Sequence, residues 1–183
     1  NRAFYANLGI SQVEQLLARN KTDKIIDLVS RLRADGLIVH VNPLQEWVQP
    51  EGDRIEVAPV ITIEKLLDKV HFPVIVKEVG QGMGPESLKR LLQLPLMAVE
   101  FAAFGGTNFS RLEILRQENE ARAKAFEPLS CIGMDALSMV GIINRYVESE
   151  GSIRCKHLII SGGIKNFLDG YYLIGRSKMP AIY

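Results

Sequence analysis

Val74-Ile75-Val76-Lys77-Glu78-Val79-Gly80-Gln81-Gly82-Met83-Gly84-Pro85 contains the unit from which the chain is built. Its first half is a short apolar run rich in Val and Ile, the pattern of a strand buried on both faces. A glycine-rich turn follows, and Pro85 suits the first position of a helix ahead of Leu88, Leu91 and Leu92. The turn lacks the second spacing of a G-x-G-x-x-G dinucleotide fingerprint and has no acidic residue placed to complete one. It reads instead as a turn of close backbone approach.

The same unit recurs on either side. Apolar runs at Ala3–Leu8, Leu37–Val41, Met97–Ala103 and His157–Ile160 predict four more strands, and Pro180–Tyr183 looks like a sixth beginning. Between them, Ser11 with Glu14 predicts a capping box opening a helix over Gln12–Arg19. Thr22 is placed to cap the next helix, whose stripe is Ile25, Ile26, Val29 and Leu32 before Gly36 closes it. Ile63, Leu66, Leu67 and Val70 repeat at helical spacing until Pro73. Asn166 with Asp169 opens a last helix ending near Gly175, and Asn108–Glu127 reads as an irregular, partly helical excursion. Alternating strands and helices imply a parallel sheet, open or closed.

Composition excludes several classes. The 183 residues are 47% hydrophobic and 23% charged with net charge +1, which is ordinary globular chemistry. No clustered basic face advertises nucleic acid. No apolar run reaches the ~18 residues of a membrane span. Asn1-Arg2-Ala3-Phe4-Tyr5 lacks a secretory pattern. Cys131 and Cys155 form neither a disulfide framework nor a metal-ligand spacing, which fits a cytoplasmic location.

In parallel α/β folds, chemistry gathers at the carboxyl ends of strands. Polar residues fall there five times. Asn7 follows the first strand, and His40, Asn42, Gln45 and Glu46 follow the second. Lys77 and Glu78 close the third, Gly105-Gly106-Thr107 follows the fourth, and Ser161-Gly162-Gly163 the fifth. Lys77 sits in an apolar strand, where it either pairs with Glu78 or a neighbouring strand, or neutralises an anion over the mouth of a barrel. The loop from Asn42 to Asp53 is long for a strand–helix connection, and Glu46 offers the oxygen ligand that Mg²⁺ prefers. Gly162-Gly163 running into a helix offers backbone N–H groups to a phosphate.

Six motifs stand together in one order: Ala6-Asn7-Leu8-Gly9, His40-x-Asn42-Pro43-Leu44-Gln45-Glu46, Gln49-Pro50-Glu51-Gly52-Asp53, Val76-Lys77-Glu78-Val79-Gly80-x-Gly82, Gly105-Gly106-Thr107 and Ser161-Gly162-Gly163-Ile164. With these the chain closely resembles type 2 isopentenyl diphosphate isomerase over essentially its whole length. The resemblance implies a (β/α)8 TIM barrel, of which residues 1–183 would supply about five βα units as a single partial domain truncated at both ends. It implies interconversion of isopentenyl diphosphate and dimethylallyl diphosphate in a homo-oligomer, using FMN, Mg²⁺ and reduction through NADPH. Asn7, Lys77 and Thr107 would touch FMN, with Gly162 and Gly163 at its phosphate. His40, Asn42 and Gln45 would line the substrate site, Glu46 would bind Mg²⁺, and Gln45, Lys77 and His40 would carry the catalysis. Lys165, Asn108-Phe109, Gly84 and Phe167 depart from the family's usual residues. The alternatives are another FMN-dependent barrel oxidoreductase or a non-catalytic flavin-binding fragment. A 2-hydroxy-acid oxidase would need a late histidine–arginine pair, and none follows Gly105.

Overall fold

The computed structural model describes residues 3–149 and 151–183. Asn1 and Arg2, which begin the segment read for a secretory pattern, lie outside the described residues. Six strands, β1 (Tyr5–Gly9), β2 (Gly36–His40), β3 (Val74–Lys77), β4 (Ala98–Glu100), β5 (His157–Ile159) and β6 (Ala181–Ile182), form one parallel sheet in sequential order.

The sheet is open, which corrects the expectation of a TIM barrel. Closure would pair the first strand with the last. Among the described residues β1 pairs only with β2, and β6 only with β5. The strand–helix alternation specifies parallel pairing and says nothing about closure, so an open α/β sheet satisfies the same pattern.

Parallel partners share a face of the sheet, and the register sorts the side chains. Ala6, Leu37, Val76, Val99 and Leu158 project to one face and lie in the main hydrophobic core. The helices that follow the strands supply its other half: α1 (Ile10–Ala18) through Ile10 and Val13, α2 (Thr22–Arg31) through Ile25 and Val29. α4 (Pro59–Leu67), α5 (Pro85–Leu92) and α8 (Ala136–Glu148) add Ile63, Leu88 and Ile143. Right-handed crossovers in sequential order place the helices that fill this core on that one face. The opposite face carries Ile38, Ile75 and Ala98, which are not part of this core, and then a polar row.

Local signals were read with mixed success. Pro85 starts α5, and Asn166 caps α9 (Phe167–Arg176) by accepting from Leu168 and Asp169 N–H. The first helix instead starts at Ile10: Gly9 is its N-cap, Gln12 Oε1 takes the Gly9 N–H, and Ser11 is buried in the first turn. Glu14 Oε1 is occupied by the Glu56 amide. Gly36 opens β2 and ends no helix, while Ile26 and Leu32 are exposed. The Asn42–Asp53 connection contains a helix, α3 (Pro43–Val48), which Pro43 at its start makes intelligible. The excursion after β4 folds as α6 (Phe109–Leu115) and α7 (Glu120–Phe126), capped by Asn108 and Asn119. No single helix among the described residues is long and apolar enough to cross a membrane.

Candidate functional site

At the carboxyl ends of β2, β3 and β4 the register aligns His40, Lys77 and Glu100 side by side on the face opposite the core. His40 Nδ1 meets Asn7 Oδ1 at 2.7 Å, joining β1 to the row. Burial holds the His40 pKa below its ordinary value; the Lys77 ammonium adds to this and the Glu46 carboxylate opposes it. At the other end Ser161 Oγ donates to Glu100 Oε1 (3.1 Å) and accepts from Ala102 N–H (3.0 Å). Ala102 has φ +40°, a conformation that L residues rarely adopt, so this bond braces a strained corner beside the site.

Lys77 does not pair with the Glu78 carboxylate. Its Nζ donates to the Glu78 backbone oxygen at 2.7 Å. Glu78 Oε2 instead accepts from four backbone amides, Val79 (2.6 Å), Gly80 (2.7 Å), Gln81 (2.6 Å) and Gly82 (3.1 Å). Burial pushes this carboxyl above the usual range, and the four N–H bonds oppose that shift. Gln81 fixes the same turn to the rest of the fold by bonding Ile132 O and Ser110 Oγ.

The second cluster lies on α3. Asn42 is buried, and its Nδ2 donates to Gln45 Oε1 (3.2 Å) and Glu46 Oε1 (2.9 Å), while Glu46 Oε2 accepts from Asp53 N–H (2.9 Å). Asn42 Oδ1 is buried without a hydrogen-bond partner. An orphaned amide oxygen beside one carboxylate suits Mg²⁺, which is commonly held by one or two carboxylates plus a substrate's phosphates. Among the described residues no group of three or more His, Cys, Asp or Glu could hold a metal without such help. The cluster is clamped from the α6–α7 side. Trp47 stacks on Phe126 at 4.9 Å, Arg116 bonds Glu51 (3.1 Å) and Glu113 (2.6 Å), and Gln117 Nε2 donates to Val48 O.

The third cluster is made by two glycine turns. Gly162 (φ +87°) and Gly163 (φ +71°) need the left-handed region, and a Cβ on Gly162 would collide with the Ala103 backbone. A Cβ on Gly105 would lie 3.3 Å from Gly163 Cα, so the turns after β4 and β5 meet backbone to backbone. Among the described residues nothing accepts from the amides of Gly105, Gly106, Gly162 or Gly163. Gly105, Gly162 and Gly163 border a cavity of about 350 Å³ that also includes Lys165 and the carboxylates Asp135 and Asp169. The unengaged amides and Lys165 are groups a phosphate takes, the two carboxylates oppose one, and the expected donor set needs a correction. The α9 N-terminus is already capped by Asn166, so the donors are those of the turns and not of that helix. Thr107, expected to touch FMN, is exposed in the same loop.

Three features were missed in the sequence: the amide nest around Glu78, the Glu100–Ser161 link and the orphaned Asn42 oxygen. The Lys-Glu-x-Gly-x-Gly spacing was the available signal for the nest.

Such a domain belongs to a recognisable class: a parallel α/β unit with glycine turns and polar groups at its strands' carboxyl ends. The comparisons are narrower. The chain is similar to proteins named isopentenyl-diphosphate delta-isomerase, at 33% identity over 167 residues for that of Synechocystis sp. and 34% over 170 for that of Vibrio parahaemolyticus. The Ignicoccus hospitalis protein of that name is 34% identical over 170 residues. These matches cover 91%, 91% and 92% of this chain, but it spans only 45%, 46% and 45% of theirs. No family model matches.

Proposed function

We propose that this chain supplies part of the active site of an isomerase that interconverts isopentenyl diphosphate and dimethylallyl diphosphate through reduced FMN. The observation that carries the reading is the joint placement of unengaged glycine amides and a lysine without a carboxylate partner at one end of the sheet, in a homologue of enzymes with that name. In this reading Gly105, Gly106, Gly162 and Gly163 hold the flavin phosphate, with Asn7 and Thr107 as further contacts. Lys77 faces the flavin ring, where a cation favours the anionic reduced form.

When bound, the flavin supplies acid–base chemistry to an alkene with no activating group; the protein orients and tunes it. His40 and Gln45 line the reacting carbons. Held neutral by burial and with Nδ1 hydrogen-bonded to Asn7, His40 presents Nε2 as an acceptor. Asn42 Oδ1 and Glu46 would hold Mg²⁺ together with the diphosphate. NADPH supplies the reducing equivalents, and homo-oligomeric assembly is part of the proposal.

The test is isomerisation assayed in the intact protein with FMN, Mg²⁺ and reductant omitted in turn. Activity should require all three. Full activity without flavin, or with oxidised flavin and no reductant, overturns the reading.

A further inference from the structure

Lys77 and Glu78 are adjacent, oppositely charged and at the mouth of one strand, yet their charged groups do not meet. Among the described residues the ion pairs within 4 Å do not include Lys77. Successive side chains leave a strand on opposite faces, which starts the separation. At a strand end a flexible glutamate could still fold back. The four amide bonds to its Oε2 prevent this, and charge-assisted bonds of that kind are roughly twice as strong as neutral ones. Meanwhile the backbone oxygen of the same residue holds the lysine ammonium.

We infer that Glu78 is a positioning residue for Lys77: it confines its own negative charge in the amide nest of residues 79–82 and so leaves the neighbouring ammonium available to an external anion. The inference rests on the reading of Lys77 as an anion-facing cation. A loop brace alone would explain the nest but would leave Lys77 indifferent to where the carboxylate goes. The arrangement also accounts for the sequence order. Aspartate at position 78 would be one methylene too short to reach four amides, and its charge would remain near Nζ.

The experiment needs no flavin. The full chain is acylated with trace acetic anhydride, and the labelling of Lys77 is measured by peptide mass spectrometry relative to exposed Lys24. Glu78→Gln keeps an accepting oxygen and removes the charge; labelling within twofold of wild type is expected. Glu78→Asp frees a carboxylate beside the ammonium. Labelling should fall at least threefold and recover in 1 M KCl, where the screening length is about 3 Å. Equal labelling in Glu78→Asp and wild type overturns the inference. So does a threefold rise in Glu78→Gln, which would mean that Lys77 already feels the charge, and this variant decides alone if Glu78→Asp does not fold. FMN titration by fluorescence separates the two readings. Absence of flavin binding in wild type, with the labelling pattern as expected, removes the flavin proposal and leaves the Glu78 inference standing.

Discussion

His40 Nδ1 lies 2.7 Å from Asn7 Oδ1, a side-chain bond between two neighbouring parallel strands. An amide oxygen only accepts, so Nδ1 carries a proton in this bond, and in the neutral ring Nε2 keeps its lone pair. That nitrogen faces Gly9, where a Cβ would stand 3.0 Å away. The folded protein therefore favours neutral imidazole, with burial the leading cause and Lys77 the second.

Because the folded His40 pKa is depressed, the unfolded chain binds the extra proton first as pH falls below 6.5. His40 should cost stability as pH drops through that window and cost nothing above it. Urea midpoints at pH 5 and pH 7.5 should differ less in His40→Gln than in wild type. An unchanged pH difference would show that the ring is not held neutral.

Lys77→Ala should weaken FMN binding and lower turnover. One lost charge-assisted contact is worth roughly 1.5–3 kcal/mol, or about ten- to a hundred-fold. Lys77→Arg should be impaired as well, since a wide guanidinium does not replace a compact ammonium. Reduced-flavin absorbance titrated against pH should show a higher flavin pKa in the alanine variant. Superimposable curves would mean the ammonium does not face the ring.

Glu46→Gln should raise the Mg²⁺ concentration needed for half-maximal activity while flavin stays bound. The carboxylate accepts from Asn42 Nδ2 and from Asp53 N–H, one on each oxygen. An amide turns one of those contacts into donor against donor and removes the charge a divalent ion prefers. Loss of flavin with unaltered Mg²⁺ dependence would contradict the role given to α3.

Gly163→Ala and Gly162→Ala should separate cofactor affinity from folding. At Gly163 a Cβ meets Phe104 O at 3.1 Å with φ +71°, a strain of about 1–3 kcal/mol that narrows the cradle. FMN affinity should fall with the fold retained, as read by flavin fluorescence and circular dichroism. At Gly162 the Cβ strikes the Ala103 backbone itself, and soluble yield should collapse.

The two thiols should react on different timescales. Cys131 is exposed, whereas Cys155 is buried and its thiol is pushed up to about 11. A chromogenic disulfide reagent at pH 8 should titrate one thiol quickly and the second only in denaturant. Two fast equivalents would show that the region around Cys155 opens readily.

The strands and their parallel pairing were legible because five apolar runs and a sixth beginning stand between helical segments; β3 and its glycine turn alone define the unit. Whether the sheet closes was not legible, since closure depends on which edges meet and no local pattern encodes it. Asn42, Gln45 and Glu46 were found as a group, but their helix was hidden in a six-residue segment too short for periodicity. Helix α8 also went unread, although Asp135 caps it and Met139, Val140 and Ile143 line its buried side. The Glu78 nest escaped notice because lysine beside glutamate suggests an ion pair, whereas the alternation of side chains along a strand sends them apart.

The sequential strand order has a kinetic consequence. Each strand finds its partner in the next unit of the chain, so assembly requires no encounter between distant segments and can advance from one end as a zipper does. The longest closure joins Ala98 to His157, across α6, α7 and α8. Closure entropy grows by only about 0.6 kcal/mol per doubling of loop length. That step is nevertheless where ordered growth should pause, with β1–β4 formed and the Gly105–Gly163 meeting still to come. The proposed phosphate cradle is therefore assembled late, and an anion that fills it would favour the completed sheet over the halted one.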